Sequence, residues 1–305
     1  MKLHLPSQPT AGQFSGEKVL CHPQSIAALM RGEIPPPVLV ELDLTNVCQL
    51  DCPYCTDAAY RRNNLCELDP AEAEDVLSDM ALMGVKAVTF TGGGDPLCHR
   101  NAVELIALAR DMGLEVALIT NGVMLGSVDL RSLVNSCTWI RVSLDAAGPA
   151  SYRAAKGRDE YARVAAGVDA LIAAKEAEQS RCVIGLGYLT DETNAWAFVD
   201  FARMWRDSGI DYVQARPLSY GKGRWQHPDI HLILAEAQSL AGDEYHVLAA
   251  TFKYAGTARR SYRHCMGVYF ACAVGATGDV WACCHLRGDQ RFSLGNIHDR
   301  PFSEI

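Results

Sequence analysis

The chain has 305 residues, 49% hydrophobic and 21% charged, which suits one large catalytic domain or a domain with a small appendage and excludes intrinsic disorder and fibrous repeats. Its formal charge of -8, from 28 Lys and Arg against 36 Asp and Glu, argues against a nucleic-acid partner, whose binding rests on basic side chains neutralising phosphate. The N-terminal run MKLHLPSQPTAGQFSGEKV has no apolar signal core. Nowhere do ~18 uncharged apolar residues follow one another, so no membrane partner is expected and the chain reads as cytoplasmic. Twelve cysteines then lose their usual disulfide explanation, and metal binding becomes the leading one.

Residues 1–37 mix polar residues with Pro and Gly, end in Ile34-Pro35-Pro36-Pro37, and read as an extended lead-in. Over 38–217, β-rich runs alternate with helical patterns. Strands are predicted at 38–45, 86–92, 115–120, 138–144, 182–189 and 211–217. Helices are predicted from Pro70, capped by Asp69, and over 101–112, near 127–135, 159–178 and 194–208. Six βα-type repeats predict an α/β fold with a parallel sheet, either partly closed into a barrel or open and doubly wound. Both place ligands at the C-terminal ends of the strands. After Pro217 come a loop from Gly221 to Pro228, a helix over 230–250 and a segment from His264 with four cysteines, together a second, smaller unit over 218–305.

Directly after the first strand stands Cys48-Gln49-Leu50-Asp51-Cys52-Pro53-Tyr54-Cys55, a C-x3-C-x2-C spacing. Three thiolates in one loop can wrap a four-iron cube and leave one iron open to a cofactor or substrate. A structural zinc site would want four ligands in paired C-x2-C knuckles, and no partner pair is near in sequence. With Tyr54 before the third Cys and a βα series behind it, the motif resembles that of the radical S-adenosylmethionine (SAM) superfamily.

That resemblance implies a partial (β/α)6 barrel, a 4Fe-4S cluster on Cys48, Cys52 and Cys55, and SAM as co-substrate. Thr91-Gly92-Gly93-Gly94-Asp95-Pro96 is similar to the family's GGEP-type motif, with Asp95 where Glu is usual. The family role of Gly92, Gly93 and Gly94 is to let backbone approach the methionine amino group. Thr120-Asn121-Gly122 and Val142-Ser143-Leu144-Asp145 resemble further strand-end stretches of the family, which makes Asn121 and Ser143 cofactor contacts. Arg153, Lys156 and Arg158 are the cations that could pair with the SAM carboxylate, Arg153 named among the cofactor contacts, and Leu189 is a candidate adenine contact.

In the tail, Cys265, Gly278 and Cys283 read as C-x12-G-x4-C, which resembles the opening of a SPASM or twitch extension, a cysteine-rich β-hairpin carrying an auxiliary 4Fe-4S cluster. Cys265, Cys272 and Cys283 are the candidate ligands, and one auxiliary cluster is expected because no cysteine follows Cys284. A spare thiol, Cys284 or Cys265, is a candidate hydrogen-atom donor. The single cysteines Cys21, Cys66, Cys98, Cys137 and Cys182 read as structural.

These parts resemble the sugar- and aminoglycoside-modifying dehydrogenases and epimerases of the family. The expectation is therefore epimerisation or oxidation of a small-molecule substrate, with an electron donor such as flavodoxin or ferredoxin. A peptide substrate is the alternative, set second because the residues before the first strand are too few for a peptide-recognition domain of ~50 residues.

Overall fold

The computed structural model describes residues 16–218, 227–249, 251–254 and 263–305. Most of the loop read at Gly221 to Pro228 and the first fifteen residues of the lead-in lie outside the described residues.

The six predicted strands form as β1 (Leu39–Asp43), β2 (Ala87–Thr91), β3 (Glu115–Thr120), β4 (Trp139–Ser143), β5 (Val183–Thr190) and β6 (Tyr212–Pro217). They lie side by side in chain order and parallel throughout, the arrangement expected of repeated βα crossovers. The sheet does not stop at residue 217. The helix expected over 230–250 is a helix only at Ile230–Gln238; a turn at Gly242 interrupts it, and the run from His246 to Ala249 becomes β7, parallel to β6.

The tail adds β8 (Ala271–Val274), β9 (Asp279–Trp281) and β10 (Ser293–Asn296) at the other edge. β8 pairs parallel with β1, and the antiparallel β8, β9 and β10 ladder extends the same sheet. The order is β10-β9-β8-β1-β2-β3-β4-β5-β6-β7.

Helices run in chain order as α1 (Pro23–Met30), α2 (Ala58–Asn63), α3 (Pro70–Met83), α4 (Ala102–Asp111), α5 (Leu130–Ser136), α6 (Pro149–Lys156), α7 (Tyr161–Ala177), α8 (Ala197–Trp205), α9 (Ile230–Gln238) and α10 (Thr251–Tyr254). Asp69 caps α3 as predicted, accepting from the Ala71 amide at 2.9 Å, with Pro70 in the first turn and Gly84 in the left-handed region at its end. The lead-in is not wholly extended, since α1 forms within it. No helix among the described residues is long and apolar enough to cross a membrane.

Strand residues alternate between two faces. Tyr188 packs on Phe198 and Phe201 of α8, and Val142 lies beside Val164 of α7 at Gly122, so these side chains face the helices. Partners in a parallel ladder share a face. Val40, Leu42, Phe90, Leu118, Ile140 and Ile184 therefore belong to this helix-covered layer, all fully buried in one core. Each such side chain contributes roughly 1.5–3 kcal/mol by leaving water. The intervening residues, among them Glu41, Asp43, Arg141, Ser143, Gly185, Gly187 and Leu189, line the inner face.

Candidate active site at the strand ends

The loop leaving β1 carries Cys48, Cys52 and Cys55, all partly buried and none in a disulfide. Backbone bonds fix it to the β2 loop, with the Gly94 amide donating to Thr45 O and the Asp95 amide to Val47 O, both at 2.9 Å. The three glycines belong to this contact. A Cβ on Gly92, whose φ is +131°, would enter the Asp43 carboxylate; on Gly93 it would strike the Asn46 side chain, and on Gly94 the Val47 carbonyl. In this fold the glycines let the β2 loop lie directly against the thiol loop.

Asp95 is buried and accepts from Thr120 Oγ1 at 2.9 Å, the Asn121 amide at 2.6 Å and the Leu97 amide at 3.1 Å. Burial raises its pKa, and these donors oppose the rise. Asn121 in turn donates from Nδ2 to Gln49 Oε1 at 3.0 Å and to Cys48 Sγ at 3.5 Å. The Asp side chain thus ties the β2 and β3 ends together and holds the residue that touches the first cysteine, a role the motif alone did not reveal.

Lys156, from the same cationic stretch as Arg153, lies against the thiol loop. Arg153 is exposed and ion-paired with Asp159, so the structure gives no support to it as a carboxylate partner for the cofactor. Lys156, at the end of α6, is buried and paired with buried Asp145. Asp145 sits in the left-handed region with φ +56° and accepts from the Leu189 amide at 2.7 Å. The Lys156 carbonyl accepts from the Asp51 amide at 3.2 Å, which attaches α6 to the thiol loop. Burial lowers the Lys156 pKa, but Asp145 and then Cys52 more than offset it, and the net shift is upward.

Burial pushes the Cys52 thiol up to about 11, with Lys156 opposing, and raises Cys48 as well. Thiols so placed ionise only when positive charge comes to them, as a multi-iron centre provides, and three soft sulfur donors in one loop match that centre. Of the remaining candidates, Tyr54 donates to Asp191 Oδ2 at 3.2 Å, while Ser143 and Leu189 are partly buried on the inner face at the ends of β4 and β5.

The tail cysteines part company. Cys272 pairs in register with Val40 and is packed into the apolar core, its thiol pushed up to about 12 by burial. Cys265 is exposed, and Cys283 and Cys284 are partly buried after β9. Burial and then Glu41 push Cys284 up to about 12. Among the described residues no three His, Cys, Asp or Glu side chains converge on a single metal ion.

Beside Cys284 lies a group the motifs did not flag. Arg287 donates from Nη2 to Asp43 at 2.9 Å and to Glu41 at 3.0 Å and from Nη1 to Cys284 O at 2.7 Å, with its Nε 2.7 Å from the Asp43 carboxylate as an ion pair, which joins the tail to the inner face of β1. Asp43 and Glu41 were visible as charges inside a predicted strand, the one signal that could have found them.

The radical SAM superfamily model matches residues 42–213, and the SPASM model, an iron-sulfur cluster-binding domain, matches residues 265–305. The PqqA peptide cyclase of Gluconobacter oxydans (strain 621H) is 39% identical over 98 residues, covering 32% of this chain and 27% of that protein. Against the curated cyclases it matches, the chain therefore spans about a quarter of their length. Mycofactocin maturase MftC of Mycobacterium ulcerans (strain Agy99) is 26% identical over 283 residues, 88% of this chain and 74% of that protein. Among solved structures, Streptococcus suis SuiB bound to S-adenosylmethionine superposes with a TM-score of 0.70 over 94% of this chain and 70% of SuiB at 14% identity. Native anSMEcpe with bound AdoMet gives 0.62 over 87% and 79% at 16%. At such identities these two likenesses speak for the fold alone. With the superfamily model matched over more than half of its length, the chain belongs to the radical SAM superfamily, whose 4Fe-4S cluster and SAM are its cofactors, and carries an iron-sulfur-binding SPASM domain at its C-terminal end.

Proposed function

We propose that the chain is a radical SAM maturase that modifies a peptide substrate. The observation that carries this is the likeness to PqqA peptide cyclases over a third of the chain, together with the likeness to the mycofactocin maturase MftC along 88% of it. The sugar or aminoglycoside substrate expected from the sequence has no support among these relatives.

In this reading Cys48, Cys52 and Cys55 hold the cluster, and Asn121 fixes Cys48 through its Nδ2 contact. When bound, the cluster and SAM together supply a one-electron cleavage that yields a carbon radical able to take a hydrogen atom from the substrate. The chain's part is to place and shield. Asp95 locks the β2 and β3 ends, Lys156 sets a buried positive charge beside Cys52, and Ser143 and Leu189 border the cofactor from the inner face. Cys265 and Cys283 remain the accessible candidates for the auxiliary iron-sulfur group.

The test is anaerobic incubation of reconstituted protein with SAM, reduced flavodoxin and either a pool of synthetic peptides or a panel of aminoglycosides. Formation of 5'-deoxyadenosine with a mass change in a peptide is the expected result. Turnover of an aminoglycoside with every peptide unchanged would overturn the reading.

A further inference from the structure

On the inner face, Arg141 of β4 is 6% exposed and donates from Nη1 to Gln214 Oε1 of β6 at 2.8 Å. Its Nε is buried with no hydrogen-bond partner, and so is the Nε of Arg216, also on β6. Neither guanidinium has a carboxylate partner among the described residues, although each lies where a buried charge is costly unless paired. The charge of Arg141, and then burial, push the Arg216 pKa down to about 10. Asp145, itself ion-paired with Lys156, opposes that fall. On β7, in register with Tyr212, His246 has a buried Nε2 that is likewise without a partner.

The space around these groups is shaped by glycine. Gly185 and Gly187 of β5 lie between β4 and β6 on the same face, and the Tyr212 ring occupies the place a Cβ on Gly185 would take. Arg141 stands two residues before Ser143 on the same strand, about 6–7 Å deeper along it. Arg141 thus sits beneath the strand-end site and Arg216, in register with Leu189, at its edge, where a substrate reaching into the sheet would pass between them.

We propose that Arg141 and Arg216 form a carboxylate-binding subsite on the inner face, which takes an acidic group of the substrate as its substrate reaches the strand-end site. The inference rests on the peptide reading above, because an acidic side chain or a free C-terminus is the carboxylate a peptide offers. Two planar guanidinium forks with free N–H groups match a carboxylate in geometry and charge.

The test is calorimetric titration of the anaerobic, cluster-loaded protein, without reductant, by four probes and by SAM. The probes are N-acetyl-glutamate methylamide, its glutamine isostere, N-acetyl-alanine with a free carboxylate, and glutarate. Expected are binding of carboxylate probes in preference to the glutamine isostere, a loss of about tenfold or more in Arg141→Gln and Arg216→Gln, and partial retention in Arg216→Lys. Preference for the glutamate or the alanine probe tells an acidic side chain from a C-terminus. SAM affinity is expected to stay within twofold, and the melting temperature of the Gln variants to hold or rise as the mutual repulsion goes. Loss of SAM affinity equal to that of the probes would assign the pair to the cofactor instead. A fall of several degrees in melting temperature in both Gln variants, or no preference for carboxylate over the isostere, would also overturn the proposal. Arginine-dependent binding of glutarate with no binding of the blocked amino acids would support the subsite and overturn the peptide reading.

Discussion

Two groups of arginines lie on the inner face of one sheet. Arg287 meets the fully buried carboxylate of Asp43 with two nitrogens and reaches Glu41 with the same fork. Arg141 and Arg216, across the sheet on β4 and β6, have between them one amide contact, to Gln214, and the Trp139 ring beside Arg141, but no carboxylate partner among the described residues. The first is matched by two carboxyl groups and joins the SPASM hairpin to β1; the second meets no carboxylate among the described residues. Burial alone does not tell a framework charge from a binding charge. Satisfaction does, because a framework pair must be complete before anything binds.

The largest expected effect separates both groups from the chemistry. Replacing Cys48, Cys52 and Cys55 together by Ala should abolish 5'-deoxyadenosine formation and lower bound iron by about half, with circular dichroism unchanged. Residual SAM cleavage in the triple variant would move the site elsewhere.

Next is Arg287→Ala, which leaves two carboxylates on β1 without their cation. A loss of about 3–5 kcal/mol in urea unfolding is expected, against no loss in Arg141→Gln. Equal stability of the two variants would erase the contrast between closed and open pairs.

A third test uses pH. Burial, opposed by Arg287, pushes Asp43 up to about 7 from an ordinary 3.8. The native state then holds a proton that the unfolded chain has released, so this group's share of stability is full below pH ~4 and is lost as pH rises to ~7, on the order of 2–4 kcal/mol. Asp43→Asn should flatten that part of the unfolding free energy measured from pH 4.5 to 7.5. A variant that follows the wild-type slope would show that Arg287 holds Asp43 ionised throughout.

The smallest effect is on the other side of the sheet. Arg141→Gln should change unfolding free energy by less than about 1 kcal/mol, with the sign towards stabilisation. A loss of several kcal/mol would make Arg141 a framework residue.

Much of this was written locally in the chain. β-branched runs at 38–45 and 182–189 and the Asp69-Pro70 cap carry their own structure, and C-x3-C-x2-C needs only one loop to bring its thiols together. What stayed hidden depends on partners far apart in sequence. Asp95 acquires its role from Thr120 and Asn121, Lys156 from Asp145, and Arg287 from Asp43, 244 residues away. The 230–250 helix failed for a different reason, because residues 246–249 have both helical and strand periodicity, and the free edge of β6 decided. Arg153, Lys156 and Arg158 look alike in the sequence, which gives charge without burial.

The pairing of β8 with β1 also fixes an order of events during synthesis. β1 emerges early and its partner edge arrives only after more than two hundred further residues, so until then one side of β1 presents unpaired backbone groups, and the loop with the three thiols hangs from a strand that is zipped on one flank. Contacts of such sequence separation form slowly, and the interval is one in which the half-built sheet is prone to join its neighbours. The thiol loop is thus secured from both sides only when translation has reached the SPASM hairpin, so a late segment of the chain steadies an early one.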